Sequence, residues 1–335
     1  MRDDALMSEQ LMSEQERGLF AELATELLSN AQAETLIEEI VDSGMGGQVW
    51  SDPLALAALF ETHGRYLAAS PLLDYAALRP PAALAARLVL PGPGRMAAPA
   101  RLDGDLVVVD GIVLAASAAD AGASASASKS SGYALATRHD GVLLVGGAGL
   151  VRTPSPGFDP DLEVCTLRGS VERSAVTSVL DVDWDDLRTR LARALAFELL
   201  GIAAEATRRA VQHVGERQQF GRPLAAFQVV RHRLAEVEIA RMGAWELASA
   251  TDDTLPADTA VNLIKAAAGR AALAAVAQAQ QVCGGMGFTA EFGLHRLVRR
   301  AYLLDSLLGG CEAAEVELGA QALSTGLVPQ PLVAL

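Results

Sequence analysis

Aromatic residues are scarce in this chain, with Phe, Trp and Tyr making up 4% of its 335 residues. A sequence poor in large rings but 51% apolar, largely through Ala and Leu, favours helices that pack closely through small side chains. Cysteine is scarcer still: Cys165, Cys283 and Cys311 stand far apart. Their spacing excludes a disulfide framework and zinc ligation, and it predicts a reducing, cytoplasmic location. Positive charge is in deficit, 27 Lys and Arg against 41 Asp and Glu, for a net charge of −14. That balance argues against nucleic acid or an anionic membrane surface as the main partner. No charge-free apolar run is long enough to cross a bilayer. The N-terminus carries Asp3, Asp4 and Glu9 and lacks the basic start of a signal peptide. The unit Met-Ser-Glu-Gln at Met7 recurs at Met12, which leaves the true start open among Met1, Met7 and Met12.

What is present divides the chain by pattern, as its length predicts. Residues 1–82 read as helical. Leu19, Phe20, Leu23, Leu27 and Leu28 fall at helical spacing, a second helix is expected from Thr35 to Val41, and Asp52-Pro53 reads as a cap with proline at the first helical position. A short helix towards Leu78 follows Ser70-Pro71-Leu72-Leu73. Residues 83–181 carry short β-rich runs at Leu106–Val109, Gly111–Leu114, Tyr133–Thr137, Gly141–Val145 and Glu163–Leu167, separated by Gly, Pro, Asp and Ser. They predict a small antiparallel β-domain, with a low-complexity loop from Ala121 to Ser131. Residues 182–335 return to helix, opened by Asp183, Asp185 and Asp186 at the positive end of the dipole. Helices are predicted at about Leu187–Glu216, Ala225–Thr251, Pro256–Cys283 and Leu294–Leu323.

Two stretches interrupt this helical half. The first is Glu216-Arg217-Gln218-Gln219-Phe220-Gly221-Arg222-Pro223, continuing to Phe227-Gln228; Gly221 and Pro223 both end helices. The second is Gln281-Val282-Cys283-Gly284-Gly285-Met286-Gly287-Phe288. A guanidinium suits a pyrophosphate through paired hydrogen bonds, and glycines let backbone N–H groups approach phosphate or ribose oxygens. The plainer readings are a helix–helix turn with a solvated Arg217, and a glycine ending a helix after Cys283.

In residue type, order and spacing the two stretches resemble the C-terminal helical domain of the acyl-CoA dehydrogenase flavoproteins, over about Leu187 to Ala320. The resemblance implies a mainly helical fold with a small β-domain: an N-terminal helical domain, a middle antiparallel β-domain and a C-terminal four-helix bundle. It implies FAD as cofactor and an acyl-CoA thioester as substrate. It also implies that Arg217 reaches the pyrophosphate across a subunit interface, that Phe220 and Gln228 lie by the adenosine half, and that Gln281, Gly284 and Gly285 hold the adenine and pyrophosphate end. The family's catalytic glutamate would fall at Leu308 or, in a minority of members, at Leu191, and leucine cannot accept a proton. Glu312 and Glu198 are the alternatives for a relocated base. His232 and His295 are read as packing residues, and Arg299 and Arg300 are left open between cofactor contact and a solvated face. The middle region has neither the Thr-Glu-Pro-like nor the Trp-Ile-Thr-like stretch that covers the flavin ring; Pro91-Gly92-Pro93-Gly94 stands nearest the former.

The chain is similar to short actinobacterial relatives that form the non-catalytic half of α2β2 assemblies acting on bulky acyl-CoA esters such as steroid side chains. The resemblance therefore implies a supporting subunit that completes the FAD site of a longer catalytic partner. A homo-oligomeric, self-sufficient dehydrogenase and a flavin-free scaffold are the competing readings.

Overall fold

The computed structural model describes residues 14–29, 40, 49–50, 52–79, 86–115, 132–155, 159, 162–250 and 255–326. The expected 35–41 helix (apart from Ile40), the 121–131 loop and the Met-Ser-Glu-Gln repeat (apart from Glu14 and Gln15) lie outside the described residues. Helix α1 (Glu14–Ser29) buries Phe20, Ala24, Leu27 and Leu28 at helical spacing, while Leu19 is left exposed. Asp52 caps α2 (Pro53–Tyr66) as its sequence predicts, accepting hydrogen bonds from the Leu54 and Ala55 N–H groups at 2.9 and 3.2 Å. The short α3 (Leu72–Leu78) follows.

The middle of the chain forms an eight-stranded sheet. Its strands are β1 (Ala86–Pro91), β2 (Ala100–Asp103), β3 (Leu106–Ala115), β4 (Gly132–Ala136), β5 (Val142–Val145), β6 (Leu150–Pro154), β7 (Glu163–Glu172) and β8 (Val176–Leu180). They lie in the order β6-β7-β3-β1-β4-β5-β8, with β2 pairing on β3. The sheet differs from the expected antiparallel one where β1 and β4 run parallel, Ala86 opposite Gly132, and at an isolated parallel bridge between Ala100 and Thr137. The two runs expected at 106–109 and 111–114 are one strand, because Gly111 passes within the ladder without ending it. A side chain at Gly111 would strike the Leu90 carbonyl, 2.5 Å from its Cβ. Val89, Val107, Val109, Leu135, Leu143 and Leu167 make this domain's own small core.

The larger core belongs to helices. The 33-residue α4 (Trp184–Glu216) is its axis, with Leu191, Leu195, Leu199 and Ile202 fully buried. Helix α2 crosses it with backbone against backbone. A Cβ on Gly64 would lie 2.1 Å from the Glu198 carbonyl oxygen, and one on Gly201 would lie 2.0 Å from that of Glu61. A two-residue hairpin (β9, Gln218–Gln219; β10, Arg222–Pro223) leads to α5 (Gln228–Ala250), which starts three residues later than predicted because Leu224–Ala226 forms a 3-10 turn. Next come α6 (Ala257–Cys283), α7 (Leu294–Ser306) and α8 (Cys311–Thr325). The last predicted helix is thus two, broken where Leu308, Gly309 and Gly310 all take positive φ. Both ends of that break are satisfied. Buried Lys265 donates to the Leu304 and Asp305 carbonyls at 3.2 and 2.9 Å, and the Asp305 carboxylate accepts from the Cys311 N–H at 3.1 Å. Among the described residues one helical stretch, Ala257–Phe288, is long and apolar enough to cross a membrane, but 67% of its most apolar window is buried in the bundle.

Candidate functional site

At the end of α4 the Arg217 N–H still bonds the His213 carbonyl (2.8 Å), and its own carbonyl accepts from the Leu224 N–H (2.9 Å). These two bonds pin the hairpin between them. Its turn residues Phe220 (φ 56°) and Gly221 (φ 79°) are both left-handed. Two consecutive positive φ values suit a primed hairpin turn, where glycine or asparagine is the cheap choice and phenylalanine is strained. The turn holds the Phe220 ring 89% exposed, edge-on to Phe227 at 6.0 Å. The Arg222 guanidinium stacks 4.1 Å from the Phe227 centroid. Arg217 and Gln228 are exposed beside them.

The second stretch ends α6. Gly284 (φ 56°, ψ −138°) sits where only glycine rests easily, and its N–H bonds the Gln280 carbonyl. A Cβ on Gly284 or Gly285 would meet nothing within 4 Å, so this backbone faces open space, with Gln281 exposed next to it. Helices α4, α5 and α6 alternate in direction, so the end of α4, the start of α5 and the end of α6 share one end of the bundle. Three contacts bind that end together. Arg209 donates to the Phe292 carbonyl (3.1 Å), the His213 ring meets Phe292 edge-on (5.8 Å), and Arg233 donates to Gln278 (2.9 Å). Both sequence stretches therefore emerge on one surface.

The expected base positions lie elsewhere. Leu191 is fully buried in α4. Leu308 occupies the α7–α8 break at 2% exposure with φ 57° and ψ 36°. The Met96 sulfur would come within 3.1 Å of a Cβ on the adjacent Gly309, and the Gly94 N–H donates to the Ser306 carbonyl at 2.8 Å. The Pro91–Gly94 loop and the α7–α8 break thus pack directly on one another. Glu312 is exposed at the start of α8.

Glu198 belongs to a buried charge network that sequence reasoning missed. Its Oε1 lies 3.1 Å from His63 Nδ1 and 3.7 Å from Arg300 Nη1. His63 Nε2 meets Ser70 Oγ at 2.9 Å. Arg300, with no exposed surface, donates to Asp159 and to the Ala68 carbonyl (3.0 Å). Burial pushes the Glu198 carboxyl up, but the charges and hydrogen bonds of His63 and Arg300 outweigh it and hold the group below the ordinary glutamate range. The partners come from α2, the 159 segment, α4 and α7, so no local pattern announces them. Arg300 is thereby a structural residue, with its guanidinium committed to the protein interior, while Arg299 is exposed. His232, expected to pack, is exposed on α5. Among the described residues no group of three or more His, Cys, Asp or Glu is placed to hold a metal.

Residues 188–324 match the family model of the acyl-CoA dehydrogenase C-terminal domain. That part of the chain is similar to an acyl-CoA dehydrogenase C-terminal domain. The chain is similar to acyl-CoA dehydrogenase FadE34 of Mycobacterium tuberculosis, 35% identical over 144 residues, covering 41% of this chain and 20% of the relative. It is also similar to the mitochondrial short-chain specific acyl-CoA dehydrogenase of Bos taurus, 32% identical over 135 residues, covering 39% and 33%. The matches span a fifth to a third of these curated relatives. Solved structures extend the likeness in fold beyond the C-terminal domain. A Tcur3481–Tcur3483 steroid ACAD variant superposes with TM-score 0.68 at 21% identity, over 93% of this chain and 99% of that one. A chain of the ChsE4–ChsE5 complex of Mycobacterium tuberculosis gives 0.67 at 19% identity, over 95% and 99%. The acyl-CoA dehydrogenase fold, helices around a central sheet with a C-terminal bundle, is therefore shared by the described residues well beyond the C-terminal domain.

Proposed function

We propose that this chain is the supporting subunit of an acyl-CoA dehydrogenase, α,β-dehydrogenating an acyl-CoA thioester together with a longer catalytic partner. Its own residues complete the FAD site of that partner. Arg217 grips the pyrophosphate, Phe220 and Gln228 line the adenosine, and Gln281 with the bare backbone of Gly284 and Gly285 closes the adenine end. The carrying observation is a division within the chain. These six residues stand exposed at one end of the bundle, while Leu308 and Leu191 are buried and Met96 packs on Gly309. An open glycine cradle beside an exposed ring and guanidiniums fits a nucleotide that arrives from another subunit. The packed Met96–Gly309 contact fits poorly with a flavin ring of this chain's own.

In such a site the flavin supplies a hydride acceptor, and the α-proton needs a carboxylate. Leu308 and Leu191 cannot take it, Glu198 is tied to His63 and Arg300, and Glu312 is exposed a turn away. The base then belongs to the partner subunit. That two of the structural relatives come from a ChsE4–ChsE5 complex and a Tcur3481–Tcur3483 steroid ACAD supports a heteromeric assembly and a bulky acyl-CoA. Residues 1–82, 83–181 and 182–335 serve as its three domains, in a cytoplasmic enzyme.

The test is an absorption spectrum of the chain purified alone and after co-expression with a longer dehydrogenase encoded beside it. Flavin bands in the co-purified sample only, reduced by Arg217→Gln with assembly intact, are the expected result. Stoichiometric flavin and acyl-CoA turnover by the lone chain would overturn the reading in favour of a self-sufficient enzyme.

A further inference from the structure

Helix α8 is apolar on two opposite faces. Cys311, Ala314, Leu318 and Gln321 succeed one another by three or four positions and turn inward, the first two buried and the others half-buried. That side packs on α6, where Gln321 accepts from Thr259 at 3.3 Å and Glu315 from Arg270 at 2.9 Å. Ala313, Val316, Ala320 and Leu323 repeat at the same spacing on the other side. All four are exposed, Val316 at 73% and Leu323 at 88%. With 3.6 residues to the turn, the centres of the two stripes lie about 180° apart. A helix at the surface needs one apolar stripe to hold it, and one with two is covered twice. The outer spacing of three, four and three is that of a seam between paired helices.

We propose that this outer stripe docks on the same stripe of a second copy of the chain, the two α8 helices running antiparallel about a dyad level with Leu318. The order of side-chain sizes points to that arrangement. Along the stripe it runs small, large, small, large. Antiparallel pairing about Leu318 sets Ala313 against Leu323 and Val316 against Ala320. Each large side chain then meets a small one, and the symmetry repeats every contact. Parallel pairing would set leucine on leucine and leave alanine facing alanine across a gap. Charge favours the same direction. Glu312, Glu315 and Glu317 all lie in the first half of α8, and Leu318 to Thr325 carries no charge. Antiparallel helices lay each acidic half over an uncharged half, whereas parallel helices would bring all three glutamates beside their copies. Glu317 is the exception, since it stands next to the dyad and meets its own counterpart. None of the stripe residues belongs to the flavin site, so the contact stands apart from that reading. One pair of four-turn helices is smaller than a standard interface of about 1,200–2,000 Å². It is a weak link, suited to joining units that other surfaces already hold together.

The experiment is cysteine cross-linking of the full chain under mild oxidation, read on a non-reducing gel. The native Cys165, Cys283 and Cys311 are buried and do not compete. The double variant Ala313→Cys with Leu323→Cys should give a linked dimer, because each new thiol faces the other kind across the seam. Leu323→Cys alone should stay monomeric on the gel. Its two copies would stand ten residues apart, about 15 Å along the helix, well beyond the roughly 7 Å that a disulfide spans between Cα atoms. Adding Val316→Glu to the double variant should suppress the link about tenfold or more, since a carboxylate would have to be buried, with the melting temperature unchanged at so exposed a position. Glu317→Gln should strengthen it. No link in the double variant would overturn the proposal. So would efficient linking by Leu323→Cys alone, which would mean parallel helices, or a link that survives Val316→Glu, which would mean random collision.

Discussion

At the scale of single residues, the strained Phe220 separates stability from binding. A non-glycine residue in the left-handed region costs about 1–2 kcal/mol, yet the Phe220 ring touches little of its own chain beyond Phe227. Phe220→Gly should leave the melting temperature equal or slightly raised while lowering the flavin retained by the assembled complex. Loss of stability with flavin unchanged would count against the proposed contact. Leu308 gives the converse case. Leu308→Glu restores a carboxylate where the resemblance expects one, but at a position 2% exposed, so it should cost a few kcal/mol in denaturant titration without raising turnover. Both stretches were legible in the sequence because glycine and proline punctuate helices visibly. The strain at Phe220 was not, since its φ depends on the hairpin pinned between Arg217 and Leu224.

At the scale of elements, the break between α7 and α8 makes a lysine titratable at moderate pH. Burial draws the Lys265 ammonium down to about 8 from an ordinary 10.5, although Asp305 pulls the other way. Between those values the unfolded chain binds more protons than the folded one, so folding stability should rise with pH across that window. Lys265→Met should flatten the rise, as read by chemical denaturation at several pH values. The predicted single helix from 294 to 323 failed here for a physical reason. Apolar periodicity runs on through the break, and only the Gly309-Gly310 pair signals it, while the lysine that seals the break is some forty positions earlier. The helices α4 and α6 were legible to within a few residues because caps and periodicity agree. In the sheet, β1, β2, β6 and β8 escaped notice because their neighbours, which lie far off in sequence, decide whether such short runs pair.

At the scale of the whole molecule, the network of His63, Asp159, Glu198 and Arg300 joins the N-terminal helices, the sheet region and the bundle. With Glu198 held below the ordinary glutamate range, its contribution is present at and above neutral pH and is lost as pH falls through the ordinary value and below. Glu198→Gln should therefore destabilise the chain at neutral pH, and the gap to the unaltered protein should narrow on acidification, as followed by thermal melts from pH 7 downward. A constant gap would mean that the carboxylate's charge does not matter. The Gly64–Gly201 crossing adds a constraint of another kind. With two carbonyls seated where side chains would otherwise be, α2 can neither slide along α4 by a residue nor roll about its own axis. The N-terminal layer is keyed to the bundle like a lock with one cut. Any breathing needed to admit a cofactor or substrate must therefore come from the outer helices α5 and α8, and amide exchange should be slowest on either side of that crossing.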